Sequence, residues 1–354
     1  MEVAATILNW YGTNKRDLPW RKTDNPYFIW ISEVVLQQTR VEQGTAYYLK
    51  FIRKFPTVKS LAAADEAEVL KLWQGLGYYS RARNMHAAAN EIVRMHKGKF
   101  PSTYDEIREL RGVGDYTAAA ISSFAFHLRH PVLDGNVYRF LSRYFGIYTP
   151  IQSSKAKKEF LEAANQLLSD NPPHEFNQAI MEFGALQCKP GTPDCNACPL
   201  NNSCFAFENN AVARLPVKNK KTLSRNRYFY YLVIRDKKSI YLTQRKEKDI
   251  WQNLFEYPLI ESGTKLTDSA LLKSKQWKKI FPTNEVLLHQ ISEERKHILS
   301  HQILHARFVE LTLINKNFNA PIHWEKVSKT KVKNYALPRL IDRYMEEQDG
   351  KENY

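Results

Sequence analysis

The stretch that decides the fold of the first half of the chain, residues 104–121, reads Tyr-Asp-Glu-Ile-Arg-Glu-Leu-Arg-Gly-Val-Gly-Asp-Tyr-Thr-Ala-Ala-Ala-Ile. It predicts two helices joined by a tight turn at Gly112 and Gly114, because both glycines can take positive φ. Leu110 and Val113 are apolar contacts beside the turn, and the alanines let the helices approach. Backbone amides at the start of the second helix would bind an anion. An ordinary turn between two helices remains an alternative.

The charge of the chain favours a polyanionic partner. Its 354 residues include 52 Lys plus Arg against 37 Asp plus Glu, a formal net charge of +15. Such a surplus is typical of proteins that bind nucleic acid. The sequence has no apolar run of membrane-spanning length and no export signal at its start. We expect a cytoplasmic, monomeric protein whose partner is a nucleic acid and not a membrane.

All four cysteines lie in one short loop, at Cys188, Cys195, Cys198 and Cys204. Four thiolates from one loop can converge on a single metal centre. Two disulfides or unrelated reduced cysteines are alternatives, which a chain without an export signal disfavours. A zinc ribbon usually contains two pairs of cysteines, each pair separated by two residues. This loop contains one such pair, Cys195 and Cys198. The spacing therefore favours an iron–sulfur cluster over zinc.

Residues 1–208 are predicted to be mainly helical. Apolar residues between 137 and 145 repeat at helical spacing directly after Asp134, which makes Asp134 the expected N-cap. Residues 209–226 are basic and lack apolar periodicity, so we predict a linker there.

A β pattern follows the linker. Residues 228–234 and 240–243 predict a hairpin, and residues 305–314 predict a further strand. We expect a smaller α/β domain with an antiparallel sheet over residues 227–345 and a polar tail at 346–354.

Six segments together resemble the MutY-type adenine DNA glycosylases of the helix-hairpin-helix superfamily, in the right order and across nearly the whole chain. They are residues 18–21, 32–39, 75–79, 112–117, 133–137 and the four-cysteine loop. The resemblance implies a helix-hairpin-helix lobe at about 22–130 and an iron–sulfur lobe formed by 1–21 plus 131–208. It also implies a [4Fe-4S] cluster on the four cysteines and a Nudix-like C-terminal domain that recognises 8-oxoguanine. No Nudix hydrolase box is visible, so this domain should recognise and not hydrolyse.

Glu33 and Asp134 are the candidate catalytic carboxyl groups. Cleaving a glycosidic bond requires a proton on the leaving base and stabilisation of positive charge on the sugar. Glu33 lies among apolar residues, so desolvation should raise its pKa and suit it to general acid catalysis. Asp134 at a helix N-terminus should be kept ionised by amides, facing the sugar. A solvated Glu and a plain N-cap are the alternatives.

The resemblance assigns both carboxyl groups to catalysis, with Tyr116 near the reacting sugar and Asn136 as a polar partner of Asp134. It implies that adenine flips out of the duplex and is protonated at N7 by Glu33. The base pocket that it implies consists of Trp20, Arg21, Leu36, Gln178 and Met181.

The resemblance also implies contacts to duplex DNA. Gln38 and Tyr78 would wedge into the duplex, with Thr39 beside Gln38. Ser300 and His301 match the loop that inspects 8-oxoguanine, but Leu299 stands where the family usually has Phe.

Two other functions compete with a monofunctional adenine glycosylase acting on A:8-oxoguanine or A:G mispairs. An endonuclease III-type glycosylase/lyase needs a nucleophilic amine, and such enzymes have a lysine where this chain has Tyr116. A non-catalytic iron–sulfur protein would bind DNA and use Glu33 and Asp134 only structurally.

Overall fold

The computed structural model describes residues 2–218, 224–236, 238–282, 286–314 and 318–352. The chain divides into two compact units, residues 1–63 with 84–220 and residues 64–83 with 221–354. The second unit therefore includes residues 64–83, which the sequence prediction assigned to the helical region.

The first unit is helical, as predicted. Its helices are α1 (Glu2–Asn14), α2 (Pro26–Leu36), α3 (Val41–Lys54), α4 (Val58–Ala62), α7 (Tyr104–Glu109), α8 (Asp115–Phe126), α9 (Gly135–Phe145), α10 (Ala156–Leu168), α11 (Pro173–Leu186) and α12 (Phe205–Glu208). The second unit contains α5 (Glu66–Trp73), and α6 (Ser80–His96) crosses the division between the units.

Helix α2 carries Glu33 into the interior of the first unit. Asn25 caps the helix by accepting a hydrogen bond from the Tyr27 amide at 3.0 Å, and Pro26 occupies the first helical position. Most of α2 is buried, including Trp30, and the helix packs against α3 and α8. A helix that is apolar on nearly all sides is a buried helix, so its one carboxyl group is desolvated with it.

Helices α7 and α8 form the predicted hairpin. Gly112 has φ +76, and a Cβ there would lie 2.5 Å from the Cβ of Asn84, so both conformation and space require glycine. The expectation of positive φ at Gly114 was wrong, because Gly114 is the extended N-cap of α8 with φ −95. Leu110 and Val113 are buried, as expected.

A second core region of the first unit gathers α1, α9, α10 and α11. Phe140, Phe160 and Phe183 are among its buried residues, and Cys188 and Cys198 pack against it. Helices α9 and α11 approach closely at Gly184, where a Cβ would lie 2.7 Å from the Asn136 carbonyl oxygen. This glycine therefore brings α11 directly against the N-terminal turn of α9.

The predicted linker partly packs onto the first unit. Ala211 and Leu215 are buried in a small apolar cluster with Ala206, and partly buried Cys204 contacts it. Five residues of the predicted linker, 219–223, lie outside the described residues.

The second unit contains two sheets within the described residues. Their strands are β1 (Arg225–Ile234), β2 (Ser239–Gln244), β3 (Phe255–Glu256), β4 (Leu259–Ser262), β5 (Val286–Ile291), β6 (Arg295–Ile298), β7 (Gln302–Leu313) and β8 (Trp324–Ser328). One sheet has the order β4-β1-β7-β5 with β6 also paired to β7, and the other has the order β3-β2-β8.

The smaller α/β domain with antiparallel strand pairs is confirmed, with one parallel pair at its centre, Arg225↔Gln302 through Ile234↔Leu311. The predicted hairpin of β1 with β2 was wrong. Both edges of β1 are occupied, by β4 and β7, so β2 pairs with β8 and β3 instead.

Three helices complete the second unit, namely α13 (Asp268–Leu272), α14 (Lys275–Ile280) and α15 (Arg339–Glu352). Helix α15 extends into the segment predicted as a polar tail, and Trp277 on α14 joins the apolar core that includes Tyr230 and Val309. Among the described residues, no helix combines the length and the apolar character needed to cross a bilayer.

Candidate active site

Glu33 lies at the centre of the candidate active site. Its side chain is buried on α2, with 6% of the residue exposed. Burial raises the pKa of Glu33 to about 7, and the nearby Asp134 raises it further, while Tyr116 and Arg21 oppose the rise. The predicted direction of this shift is confirmed, and the group is half protonated near neutral pH.

Tyr116 reaches Glu33 from the second position of α8. Its hydroxyl donates a hydrogen bond to Oε2 of Glu33 at 2.6 Å. Burial and the adjacent carboxyl groups raise the pKa of Tyr116 well above its usual value, so the phenol keeps its proton and remains a donor. The hairpin thus places a fixed donor on the candidate acid.

Asp134 is the N-cap of α9, as predicted. Its Oδ1 accepts hydrogen bonds from the amides of Asn136 at 2.9 Å and Val137 at 2.7 Å, and its Oδ2 accepts one from the Asn136 side chain at 2.7 Å. The expectation that the amides would dominate its titration was wrong. Burial raises the pKa of Asp134 and outweighs the lowering by these three hydrogen bonds and by Arg139.

Arg139 links this carboxyl group to the cysteine loop. Its Nη2 donates to Oδ1 of Asn136 at 2.9 Å, and its Nε donates to the carbonyl of Cys188 at 2.8 Å. One guanidinium therefore fixes the partner of Asp134 and the start of the loop together.

The two carboxyl groups open into one cavity of about 550 Å³ in the first unit. Tyr116 and Asn136 line it, as do five of the residues predicted to contact DNA, Trp20, Arg21, Leu36, Gln38 and Met181. Thr39 also lies on its wall. Gln178 instead lines a smaller adjoining cavity with Trp20 and Glu33, where its Oε1 accepts a hydrogen bond from Tyr11 at 3.0 Å.

Sequence reasoning missed a buried ion-pair cluster on the wall of the main cavity. Glu182 accepts hydrogen bonds from the side chains of Arg16 (2.9 and 2.6 Å) and Arg21 (3.1 and 2.8 Å). Burial alone would raise the pKa of Glu182, but these hydrogen bonds lower it to about 2. Its position four residues after Gln178 on α11 was the available signal, because residues spaced by four share a helix face.

The hairpin carries its own acidic residue. Asp115, the first residue of α8, pairs with Arg108 at 2.7 Å and with Lys157 at 2.6 Å. Hydrogen bonds from Lys157 and Arg108 lower the pKa of Asp115 to about 2. The carboxylate is therefore ionised, and the two cations balance its negative charge beside Gly114.

Two of the predicted lesion contacts meet in the second unit. The hydroxyls of Tyr78 and Ser300 lie 2.6 Å apart, within hydrogen-bonding distance. Ser300 and His301 are exposed at the turn between β6 and β7, whereas Leu299 is half-buried. Tyr78 has φ +46, and Gln38 in the first unit has φ +57, so both predicted wedge residues occupy the left-handed region that side chains seldom adopt.

The four cysteines are free thiols that line one cavity with Arg143 and Phe183. No three His, Cys, Asp or Glu side chains in the described ranges converge as a single metal ion would require. Arg143 donates to Sγ of Cys188 at 3.5 Å. Four thiols that line one shared space are a ligand set suited to a metal centre with thiolate ligands.

Two protein families match successive parts of the chain. Residues 31–166 match the family described as HhH-GPD superfamily base excision DNA repair protein, and residues 230–347 match the NUDIX domain.

Among solved structures, a thermostable thymine-DNA glycosylase is similar with a TM-score of 0.55 and 30% identity, covering 59% of this chain and 96% of that one. An endonuclease III from a non-covalent DNA complex, with a TM-score of 0.52 and 21% identity over 59% of this chain and 95% of that one, shares the fold.

Curated relatives extend the similarity over most of the chain. The adenine DNA glycosylase of Buchnera aphidicola subsp. Baizongia pistaciae is 37% identical over 313 residues, which cover 88% of this chain and 86% of that protein. The human adenine DNA glycosylase is 41% identical over 210 residues, covering 57% of this chain and 38% of that protein. The chain therefore belongs to the adenine DNA glycosylase family and is a base-excision repair enzyme of that family.

Proposed function

We propose that the enzyme removes adenine mispaired with 8-oxoguanine, or with guanine, by hydrolysing the N-glycosidic bond and leaving an abasic site. One observation carries the proposal: Glu33, with a pKa near 7 and a hydrogen bond from Tyr116, shares a cavity with Asp134, whose carboxyl group caps α9. Cleavage of a glycosidic bond uses a proton donor for the leaving base and an anion that stabilises the positive charge on the sugar.

The reaction starts when adenine leaves the duplex and enters the cavity. Protonated Glu33 gives its proton to N7 of adenine, which makes the base a better leaving group. The C1′–N9 bond then breaks and its electron pair stays with adenine, so positive charge develops on the sugar. Asp134 stabilises this cation, because its carboxylate is fixed by Asn136 and by two amides.

Water completes the reaction. Glu33, now ionised, accepts a proton from the water that attacks C1′, which regenerates the acid for the next turnover. Tyr116 keeps its own proton throughout and orients the Glu33 carboxyl group. The step requires no amine nucleophile, so the enzyme is monofunctional.

The base pocket combines apolar and cationic walls. Trp20, Leu36 and Met181 offer apolar contact to the adenine ring, while Arg21 is held by Glu182 and Gln178 by Tyr11. Side chains fixed by such partners bind the base with little further loss of rotamer freedom.

Recognition of the mispair is assigned to exposed side chains in both units. Gln38 and Tyr78 wedge into the duplex, with Thr39 beside Gln38, and Ser300 and His301 contact 8-oxoguanine in the partner strand. Support comes from the exposure of Tyr78, Ser300 and His301 and from the contact that fixes Tyr78 to Ser300. Gly112 and Gly114 present the α8 amides to a phosphate.

A [4Fe-4S] cluster is the proposed cofactor, held by Cys188, Cys195, Cys198 and Cys204. When bound, it supplies a structural crosslink of the loop and electron-transfer capacity. Arg139 donates hydrogen bonds to both the Cys188 carbonyl and Asn136. Asn136 in turn donates to Asp134, so the position of Asp134 depends on an ordered cysteine loop.

We place the enzyme in the cytoplasm as a monomer on double-stranded DNA, in two domains joined near residues 209–226.

The test is a single-turnover incubation with a duplex that contains one A:8-oxoguanine pair, with each sample split and half treated with hot alkali. We expect strand breakage only after alkali, and none with Glu33→Gln. Glu162→Gln, which alters an exposed carboxylate on α10 next to Lys158, is the matched control and should behave as wild type. Breakage without alkali would contradict monofunctional chemistry, and tight binding without any breakage would contradict catalysis.

A further inference from the structure

The turn between β6 and β7 exposes an isoleucine. Ile298, the last residue of β6, is 75% exposed, whereas its neighbour Leu299 is half-buried. Single exposed apolar side chains are normal on a protein surface, and Ile322 is more exposed still. Exposure alone decides nothing, so the setting of this residue matters.

The turn is held rigidly. Ile298 pairs with Ile303 across the strands, and the Leu299 amide donates to the Gln302 carbonyl at 2.8 Å. Ser300 hydrogen bonds to Tyr78 at 2.6 Å, and the Tyr78 backbone is itself fixed at φ +46 between two glycines and α6. The β-branched side chain of Ile298 also has few rotamers. Little conformational entropy is therefore lost when it inserts between other groups.

The charges around Ile298 fit a polyanion with an apolar interior. Residues 295–302 read Arg-Lys-His-Ile-Leu-Ser-His-Gln, in which Arg295 is paired with Glu347 at 2.7 Å and Lys296 supplies the exposed positive charge. Lys296 and His301 are exposed, and the amide of exposed Arg225 donates to the His301 carbonyl at 3.0 Å. Duplex DNA has phosphates outside and stacked bases inside, which the exposed cations Lys296 and Arg225 beside one apolar side chain match.

We infer that Ile298 is the side chain that inserts beside the partner-strand 8-oxoguanine and so determines discrimination of the mispair. The inference rests on the proposed function. Insertion of an apolar side chain offsets part of the few kcal/mol that unstacking a base step costs. Leu299 is half-buried and therefore presents less apolar surface for insertion.

The experiment compares Ile298→Ala with Leu299→Ala and with Ile322→Ala, which removes the same side chain from a fully exposed site, 102% accessible. All variants carry Glu33→Gln so that the DNA is not consumed. Equilibrium binding is measured on duplexes with A:8-oxoguanine and A:G pairs, and a fluorescent base analogue next to the 8-oxoguanine reports unstacking.

We expect Ile298→Ala to raise the Kd for A:8-oxoguanine about tenfold and to reduce the fluorescence increase, with Ile322→Ala and Leu299→Ala within about twofold of the parent. A Kd for Ile298→Ala equal to that of Ile322→Ala overturns the inference, as does a loss confined to Leu299→Ala. Failure of the proposed function is distinguishable, because the wild-type enzyme would then excise adenine from neither mispair.

Discussion

Tyr116 donates a hydrogen bond to Glu33 at 2.6 Å, and this contact opposes the rise in the pKa of Glu33 that burial causes. A hydrogen bond to the ionised carboxylate stabilises the charged form. The tyrosine therefore sets the pH range over which Glu33 can serve as an acid, in addition to orienting it.

Replacing Tyr116 by Phe should move the pH profile of excision upward. Glu33 is active when protonated, so the single-turnover rate of the wild type should fall as pH rises through about 7. Without the hydrogen bond the pKa of Glu33 is higher, and the fall should occur at higher pH. Tyr144→Phe, whose hydroxyl contacts Ser203 at the surface, is the control. An unshifted profile in Tyr116→Phe would show that the contact does not tune the acid.

Glu33→Gln should stabilise the protein in alkaline solution. The folded state binds the Glu33 proton more tightly than the unfolded state, because the pKa rises from 4.5 to about 7 on folding. Stability is therefore lost as pH increases between these values, and the full loss is about 3 kcal/mol above both. The neutral amide avoids this loss.

Denaturant unfolding of the wild type and Glu33→Gln at about pH 4.5 and pH 8 measures the effect. The difference in the free energy of unfolding should be small at the lower pH and approach about 3 kcal/mol at the higher pH. An equal difference at both values would mean that the substitution acts through packing and not through the buried charge.

Local patterns predicted well the features that depend on neighbours in sequence. The apolar residues around Glu33 predicted its burial, and the apolar spacing after Asp134 predicted its role as an N-cap. Features that depend on residues distant in sequence could not be predicted from local patterns. The pKa of Asp134 rises because other segments bury it, and β1 does not pair with β2 because β4 and β7 occupy both of its edges.

Glu182 shows the same limit inside the site. Its partners Arg16 and Arg21 lie more than 160 residues away in sequence, so no local pattern joins them. Glu182→Gln should lower the free energy of unfolding by about 3 kcal/mol, because a buried carboxylate is removed from two arginines. Excision should slow about tenfold, since Arg21 would lose its anchor.

Denaturant unfolding and single-turnover excision at saturating enzyme measure the two effects. Glu162→Gln again provides the comparison, because its ion pair with Lys158 is exposed and contributes little. If Glu182→Gln matched Glu162→Gln in both measurements, the cluster would have no part in shaping the pocket.

Gly184→Ala tests how far catalysis depends on the contact of α11 with α9. The added Cβ would lie 2.7 Å from the Asn136 carbonyl oxygen, so one of the two backbones must move. Asn136 donates to Asp134 from its amide and its side chain, so displacement of α9 would misplace the carboxylate that faces the sugar. We expect a loss of about 1 to 3 kcal/mol in stability and a fall in the excision rate of about 100-fold.

Gly12→Ala is the matched control, since Gly12 on α1 is exposed and its new Cβ would meet nothing within 4 Å. Alanine is the better helix former, so this variant should gain about 0.5 to 1 kcal/mol and keep full activity. Iron content of each purified variant separates damage to the cysteine loop from displacement of Asn136. A Gly184→Ala enzyme with normal iron content and an unchanged excision rate would show that the active site tolerates movement at this contact.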